Sequence, residues 1–246
     1  MKNFDIVIIG GGMVGLAAAC GLARSGLQIA IVEPQALSSA EFPVEFDLRV
    51  SALSHASQTL LANLNAWPAI EAQRLAPFSG MEVWEADGTG FVEFHAADMG
   101  EKYLGWIVEN RVVTRALEQQ TQTAENITWF NPDALAQLEM TEDAAILTLT
   151  SGAVMQAKLV VGADGAHSRV RQLAEFELDV KPYQHHGIVT TVQTELPHLN
   201  TARQRFMPTG PLAFLPLLDA RAEAGKSGHL CSIVWSAQED LTQQIM

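Results

Sequence analysis

Hydrophobic positions in this chain come first as short unbroken runs and later as alternation, and the two patterns predict different elements. Phe4 leads into Ile6-Val7-Ile8-Ile9, a β-branched run that reads as a strand. Gly10-Gly11-Gly12-Met13-Val14-Gly15 comes next. A helix-forming stretch follows from Leu16 to Arg24, with alanine at 17, 18, 19 and 23, and stops at Gly26. A second apolar run, Ile29-Ala30-Ile31-Val32, ends on Glu33.

Further along, Pro34 to Asp47 is expected to be irregular. Leu48 to Leu53 then leads into an amphipathic helix with Leu60, Leu61 and Leu64 on one face and Trp67-Pro68 at its end. From 80 to 96 the period changes to two: Met81-Glu82-Val83-Trp84 and Phe91-Val92-Glu93-Phe94 flank Asp87-Gly88-Thr89-Gly90, which predicts a β-hairpin. Trp84, Phe91 and Phe94 read either as the wall of a substrate cavity or as ordinary sheet core. A helix is expected over Val112 to Gln120 with Val113, Ala116 and Leu117 inward, then a strand over Asn126 to Phe130. A second hairpin joins Ala145–Thr150 to Val154–Val161 through Ser151-Gly152.

Beyond Lys181-Pro182 the pattern predicts strands at Gly187–Gln193, Arg203–Phe206, Leu212–Leu217 and Leu230–Trp235. A polar linker runs from Asp219 to Gly228, and a helix begins at Glu239. A hairpin that interrupts an α/β pattern implies an inserted domain. The expected organisation is an α/β, Rossmann-like dinucleotide-binding domain from 1–79 and 99–180, with a mainly antiparallel β-sheet substrate domain from 80–98 and 181–246.

A formal net charge of −13 with no Lys/Arg cluster excludes a nucleic-acid binder, because nothing would neutralise the phosphates. An apolar substrate needs a greasy pocket instead and stays allowed. Cys20 and Cys231 are the two cysteines. Cys20 falls in the first helix, so a reducing compartment is expected in place of a structural disulfide. Residues 6–23 are uncharged, but five glycines interrupt them, which fits a nucleotide loop better than a signal peptide or membrane span. The expected location is therefore the cytoplasm.

The chemistry of the first thirty residues follows from their order. Gly10, Gly12 and Gly15 fit G-x-G-x-x-G: a tight turn off the strand, close backbone approach to a pyrophosphate, and close helix packing. Met13 and Val14 open the helix, whose N-terminal N–H groups and dipole face the phosphates. Glu33 can accept hydrogen bonds from ribose hydroxyls and repels a 2′-phosphate. A glycine-rich turn alone would be weak; strand, glycines, helix, strand and acid in this order point to an ADP-containing dinucleotide.

A second motif follows Leu159-Val160-Val161: Gly162-Ala163-Asp164-Gly165-Ala166-His167-Ser168-Arg169-Val170-Arg171. An Asp at the carboxyl end of a strand in an open α/β sheet points into the ligand crevice and can accept hydrogen bonds from a sugar-like chain. The alternative is an Asp-Gly turn with Ser168 as a plain N-cap. Arg49, just ahead of a helix, reads equally as a cation for a pyrophosphate or as a surface arginine. His185-His186 is the one pair that invites a metal, but adjacent strand residues face opposite sides.

Taken together, the two motifs at this separation resemble the flavoprotein aromatic hydroxylases of the p-hydroxybenzoate hydroxylase fold. Gly80-Met81-Glu82-Val83-Trp84, Val108-Glu109-Asn110-Arg111-Val112-Val113, Ala213-Phe214-Leu215-Pro216-Leu217 and Cys231-Ser232-Ile233-Val234-Trp235 are similar to the ubiquinone-biosynthesis branch, with its 2-polyprenylphenol hydroxylases. The resemblance implies a Rossmann-like FAD-binding domain. Gly10, Gly12, Gly15 and Glu33 would hold the ADP half of FAD, with Met13 and Val14 in the same loop. Arg49 would approach the pyrophosphate, Asn110 with Arg111 the flavin side, and the backbone at Leu135 the adenine. Asp164 and Gly165 would meet the ribityl or pyrophosphate region, supported by Arg171.

The implied reaction is hydroxylation of a polyprenylated phenol with NAD(P)H and O₂ through a flavin C4a-hydroperoxide. Peripheral membrane contact or other ubiquinone-biosynthesis proteins are the implied partners. The family's further Gly-Asp and Ala-Ala-His motif has no match here. A C-terminally truncated chain is therefore expected, holding FAD weakly or not at all and inactive as it stands. Two other functions compete: an NAD-dependent dehydrogenase, which usually continues with more β-α repeats, and a non-catalytic assembly subunit of the same fold.

Overall fold

The computed structural model describes residues 1–37, 42–43, 45–218 and 228–245. The chain opens with β1 (Lys2–Ile9), α1 (Met13–Ala23), β2 (Ile29–Val32), β3 (Val50–Leu53), α2 (His55–Asn63) and α3 (Trp67–Glu71). It continues through β4 (Ala76–Phe78), β5 (Gly80–Glu85), β6 (Phe91–His95), β7 (Gly105–Glu109) and α4 (Asn110–Gln122). Next are β8 (Ile127–Phe130), β9 (Leu135–Met140), β10 (Ala145–Leu149), β11 (Val154–Gly162) and α5 (Arg169–Leu173). The described chain finishes with β12 (His185–Gln193), β13 (Thr201–Met207), β14 (Gly210–Pro216), β15 (Leu230–Gln238) and α6 (Glu239–Ile245). The fold is mixed α/β, as the sequence pattern predicts. The expected linker at 219–227 and part of the irregular segment at 34–47 lie outside the described residues.

Two compact units emerge: Met1–Phe42, Asn63–Ala66 and Val113–Asp179 form one, and Pro43–Ala62, Trp67–Val112 and Val180–Met246 the other. Residues 43–62, 67–79 and 99–112 thus group with the second unit, where the sequence pattern suggests the first.

In the first unit a six-stranded sheet has the order β8-β2-β1-β11-β10-β9. The β8, β2, β1 and β11 strands run parallel, and β10 and β9 add an antiparallel arm. The unbroken apolar runs of β1 and β2 are what a strand covered on both faces requires. Val7, Ile8, Ile29, Ala30, Ile31 and Val32 are all fully buried. Leu135, Leu147, Leu149, Met155 and Ala157 pack with Val7, Ile9 and Val32 in one cluster. Fully burying each such side chain contributes roughly 1.5–3 kcal/mol. Helix α1 buries Gly15, Leu16, Ala19 and Cys20, a small-residue stripe that admits close packing. The Cys20 thiol donates to Leu117 O at 3.6 Å, and burial pushes its pKa up to about 11.

The second unit holds a six-stranded sheet, β12-β15-β14-β13-β5-β6, antiparallel except for the β13–β5 pair, and a three-stranded sheet, β3-β7-β4. Ala76, Ile107 and Leu217 form a core with Phe46, Val50, Phe78, Leu215 and Leu230 around them.

Two local expectations change. Trp67-Pro68 opens α3 instead of merely ending α2, because proline suits the first turn of a helix, where its missing N–H costs nothing. Phe91 and Phe94 are 58% and 51% exposed, not sheet core, because β6 is the outer strand of its sheet.

Candidate functional site

Parallel pairing puts the carboxyl ends of β2, β1 and β11 side by side: Ile9 is in register with Val32 on one flank and Gly162 on the other. The residues that follow these three ends are Glu33, Gly10 and Ala163-Asp164, so both sequence motifs meet at one sheet edge. The Gly10 N–H donates to Val32 O at 2.9 Å, and the Ala163 N–H donates to Ile9 O at 2.8 Å.

Sterics explain two of the glycines. Gly10 has φ +109°, and a Cβ there would lie 2.4 Å from Ala163 O. A Cβ on Gly15 would lie 2.1 Å from Gly10 O, so the helix and the turn can approach only without it. Gly12 differs, since nothing stands within 4 Å of its would-be Cβ. It is the N-cap of α1 and makes no side-chain cap bond, which leaves the first-turn amides of Met13 and Val14 to an outside acceptor. Val14 is 75% exposed at that turn.

Glu33 braces the loop from the β2 side. Its Oε2 accepts from the Gly11 N–H at 2.6 Å and its Oε1 from the Gln35 N–H at 2.8 Å. Each oxygen keeps a second lone pair for a hydroxyl donor. The Glu33 carbonyl accepts from the Asp133 N–H at 3.0 Å and from Asn131 Nδ2 at 3.1 Å. That brings the segment ahead of β9 beside the acid. Leu135 itself is buried in the core cluster with Val32.

Asp164 caps α5 from the β11 side: its Oδ2 accepts from the N–H of Arg169 at 2.6 Å and of Val170 at 3.2 Å. Burial pushes the carboxyl up, but bonds from the Ser168 hydroxyl and these backbone donors outweigh it and hold the group below the usual carboxylate range. Its Oδ1 is buried with no partner among the described residues. Gly165 adopts φ +84° with open space where a Cβ would be. Ser168 is the N-cap of α5, its Oγ accepting from the Arg171 N–H at 3.0 Å, and Arg171 Nη2 donates to Ala166 O at 2.9 Å. The N-cap and ligand readings of this motif therefore coexist: Ser168 caps the helix, and Asp164 is left with one oxygen to spare.

The remaining expected site residues lie in the second unit. Arg49 is exposed, and its guanidinium has no partner among the described residues, while its carbonyl accepts from the Asn110 N–H at 2.9 Å. Asn110 Oδ1 accepts from Ser51 Oγ at 2.6 Å. Arg111 is engaged elsewhere: its Nη2 pairs with Glu109 Oε2 and donates to Glu45 O at 2.6 Å.

Two buried carboxylates were not apparent from sequence. Glu109 is 1% exposed, ion-paired with Arg111 and with Arg74 at 2.7 Å, and its Oε2 accepts from the Asp47 N–H at 2.8 Å. Asp133 accepts from Thr150 Oγ1 at 2.8 Å, from the Ser151 N–H at 3.1 Å and from Ser151 Oγ. Glu109 follows a buried apolar run and precedes an arginine, a local cue to an ion pair; the partners of Asp133 carry no sequence signal.

Residues 3–209 match the FAD binding domain family model, and the chain belongs to that family. Its relatives include 3-demethoxyubiquinol 3-hydroxylase of Escherichia coli (strain K12), 40% identical over 94% of this chain and 56% of the relative. The mitochondrial ubiquinone biosynthesis monooxygenase COQ6 of Danio rerio is 32% identical over 99% of this chain and 51% of the relative. This chain therefore spans about half the length of the curated relatives it matches. In fold it is similar to Pseudomonas aeruginosa PqsL solved with 2-aminobenzoylacetate, at TM-score 0.80 and 19% identity, covering 100% of this chain and 64% of that one. It is also similar to p-nitrophenol 4-monooxygenase PnpA of Pseudomonas putida, at TM-score 0.74 and 17% identity, covering 100% of this chain and 62% of that one.

Proposed function

We propose that the chain carries the nucleotide half of an FAD-dependent monooxygenase that hydroxylates the ring of a polyprenylated phenol in ubiquinone synthesis, with NAD(P)H and O₂ as co-substrates. The observation that carries the reading is the convergence of Gly10–Gly15, Glu33 and Asp164 on one sheet edge. That edge offers a turn with open space over Gly12, uncapped helix amides, an acid with lone pairs free, and a buried Asp164 oxygen without a partner among the described residues. A dinucleotide has a group for each: pyrophosphate, ribose and polyol.

In this reading the amides of Gly12, Met13 and Val14 hold the pyrophosphate, Glu33 accepts from the ribose, and Asp164 Oδ1 accepts from a hydroxyl of the polyol chain. Gly165 lets that chain lie close to the backbone. Arg49 supplies a cation to the phosphates, Asn110 a contact to the flavin, and the backbone at Leu135 a contact to the adenine. Arg111 orders the Asn110 turn through Glu109. Bound FAD supplies the electron transfer and oxygen activation that amino-acid side chains lack. The chain's own residues bind, orient and exclude water.

The functional division keeps 1–79 and 99–180 for FAD and 80–98 with 181–246 for the phenol. Peripheral contact with a membrane follows from the greasy substrate. Among the described residues no helix is long and apolar enough to cross one. NAD(P)H consumption, with and without a prenylated phenol, together with product mass, tests the assignment. Phenol-stimulated oxidation by the complete protein, with a product heavier by one oxygen, supports it; a colourless protein that gains no FAD on reconstitution points to the dehydrogenase, and a complete protein without turnover to an assembly subunit.

A further inference from the structure

The described residues between Pro43 and Leu48 belong to no helix or strand, so their backbone groups need partners outside a ladder. Side chains supply several of them, and these hang on one acid. Glu109, at the end of β7, is 1% exposed. Its Oε1 pairs with Arg74 Nη2 at 2.7 Å, while its Oε2 pairs with Arg111 Nη2 and accepts from the Asp47 N–H at 2.8 Å. Both arginines reach back to the same segment. Arg74 Nη2 donates to Pro43 O at 3.2 Å and to Glu45 O at 3.4 Å, and Arg111 Nη2 donates to Glu45 O at 2.6 Å. The Arg74 guanidinium also lies 4.2 Å from the centre of the Phe46 ring.

These contacts close into a ring. Asp47 Oδ1 accepts from the Arg49 N–H at 2.9 Å, the Arg49 carbonyl accepts from the Asn110 N–H at 2.9 Å, and Asn110 follows Glu109 in the chain. Pairing of Val50 with Glu109 in the β3–β7 ladder fixes the register of the two sides. Arg49 and Asn110 therefore take their backbone positions from Glu109. A buried acid between two arginines is a poor source of stability, because desolvation offsets the attraction. What it defines here is the point from which the exposed Arg49 side chain leaves the backbone.

On the FAD reading, on which this rests, we propose that Glu109 is a positioning residue for the flavin site, acting on Arg49 through Asp47 and on Asn110 directly. Titration of FAD with the chain and its variants, beside hydrogen exchange of the flavin-free protein, tests it. Glu109→Gln is expected to weaken FAD binding about tenfold and to speed exchange at the Asp47 and Asn110 amides more than elsewhere in the β3-β7-β4 sheet. Removing one partner of a buried pair can unfold a protein, so the half-buried Asp47 carries a second test. Asp47→Ala removes the acceptor for the Arg49 N–H and is expected to weaken binding about threefold to tenfold, and Asp47→Asn, which keeps an acceptor, to restore it. Charge alone has the opposite sign, since loss of an acid favours an anionic ligand. In an Arg49→Ala background, Asp47→Ala is expected to cost less than about twofold more. Unchanged or tighter binding by Asp47→Ala overturns the proposal, as do effects that add fully to those of Arg49→Ala. So does a folded Glu109→Gln variant with the parent's affinity or the parent's exchange at Asp47 and Asn110. No saturable binding by the parent chain overturns the FAD reading itself, and the proposal with it.

Discussion

The backbone N–H of Gly11 donates to Glu33 Oε2 at 2.6 Å, so the acid at the end of β2 shapes the glycine turn at the end of β1. The bond is charge-assisted, and such bonds contribute about 1.5–3 kcal/mol. Glu33→Ala should therefore weaken FAD binding by about tenfold to a hundredfold, through a looser turn and a lost ribose acceptor. Glu33→Gln keeps an acceptor for the Gly11 N–H and should fall between. Flavin retained after gel filtration orders the three proteins.

Gly10 and Gly12 should respond in opposite ways to alanine. At Gly10 a methyl meets Ala163 O at 2.4 Å in a backbone with φ +109°, so Gly10→Ala should lower stability by about 1–3 kcal/mol. Gly12→Ala has open space and should melt near the parent protein. Its loss appears instead as reduced FAD affinity, because the methyl stands where the pyrophosphate comes close. Thermal melts beside flavin titrations separate the two effects.

Asp164 has two tasks, divided between its oxygens. Asp164→Ala should cost about 0.5–2 kcal/mol from the lost cap on Arg169 and Val170, in addition to flavin affinity. Its carboxyl is held below the ordinary value, so its stabilisation is complete above the unfolded pKa and is lost as pH falls through the lower folded value. An acid titration followed by circular dichroism should show the parent protein losing stability below about pH 4, and Asp164→Asn losing less over the same range.

His198 gives a second pH signature. Its Nδ1 accepts from the Asn200 N–H at 3.0 Å, which places the proton on Nε2, bonded to Leu217 O at 3.2 Å. Burial pushes its pKa down, the bond to Leu217 opposes this, and the Arg203 charge adds to the lowering. A depressed folded value means that stability is full above about pH 6.5 and falls as the pH drops through the folded pKa. The melting temperature of His198→Asn should be lower at neutral pH and flatter below it; a slope equal to that of the parent protein contradicts the assignment.

The β1-α1-β2 unit was legible because its signals are local: apolar runs, glycines and an acid within thirty residues. The Asp164 turn was legible for the same reason. Strand β9 was not, since Leu135-Ala-Gln-Leu-Glu-Met is rich in helix formers and is held as a strand by β10. The short strand β3 was visible only as an approach to α2; its pairing with β7 spans more than fifty residues. Glu109 bonds Asp47 across 62 positions, and its buried ion pairs with Arg74 and Arg111 depend on that long-range closure.

Titration of FAD with the chain, read by flavin fluorescence and extended to millimolar protein, tests the central claim most directly. The expected result is saturable binding that Gly12→Ala and Glu33→Ala each weaken at least tenfold while the protein stays folded. A folded chain with no saturable binding, or three superimposable curves, would contradict a nucleotide site at the β1, β2 and β11 ends.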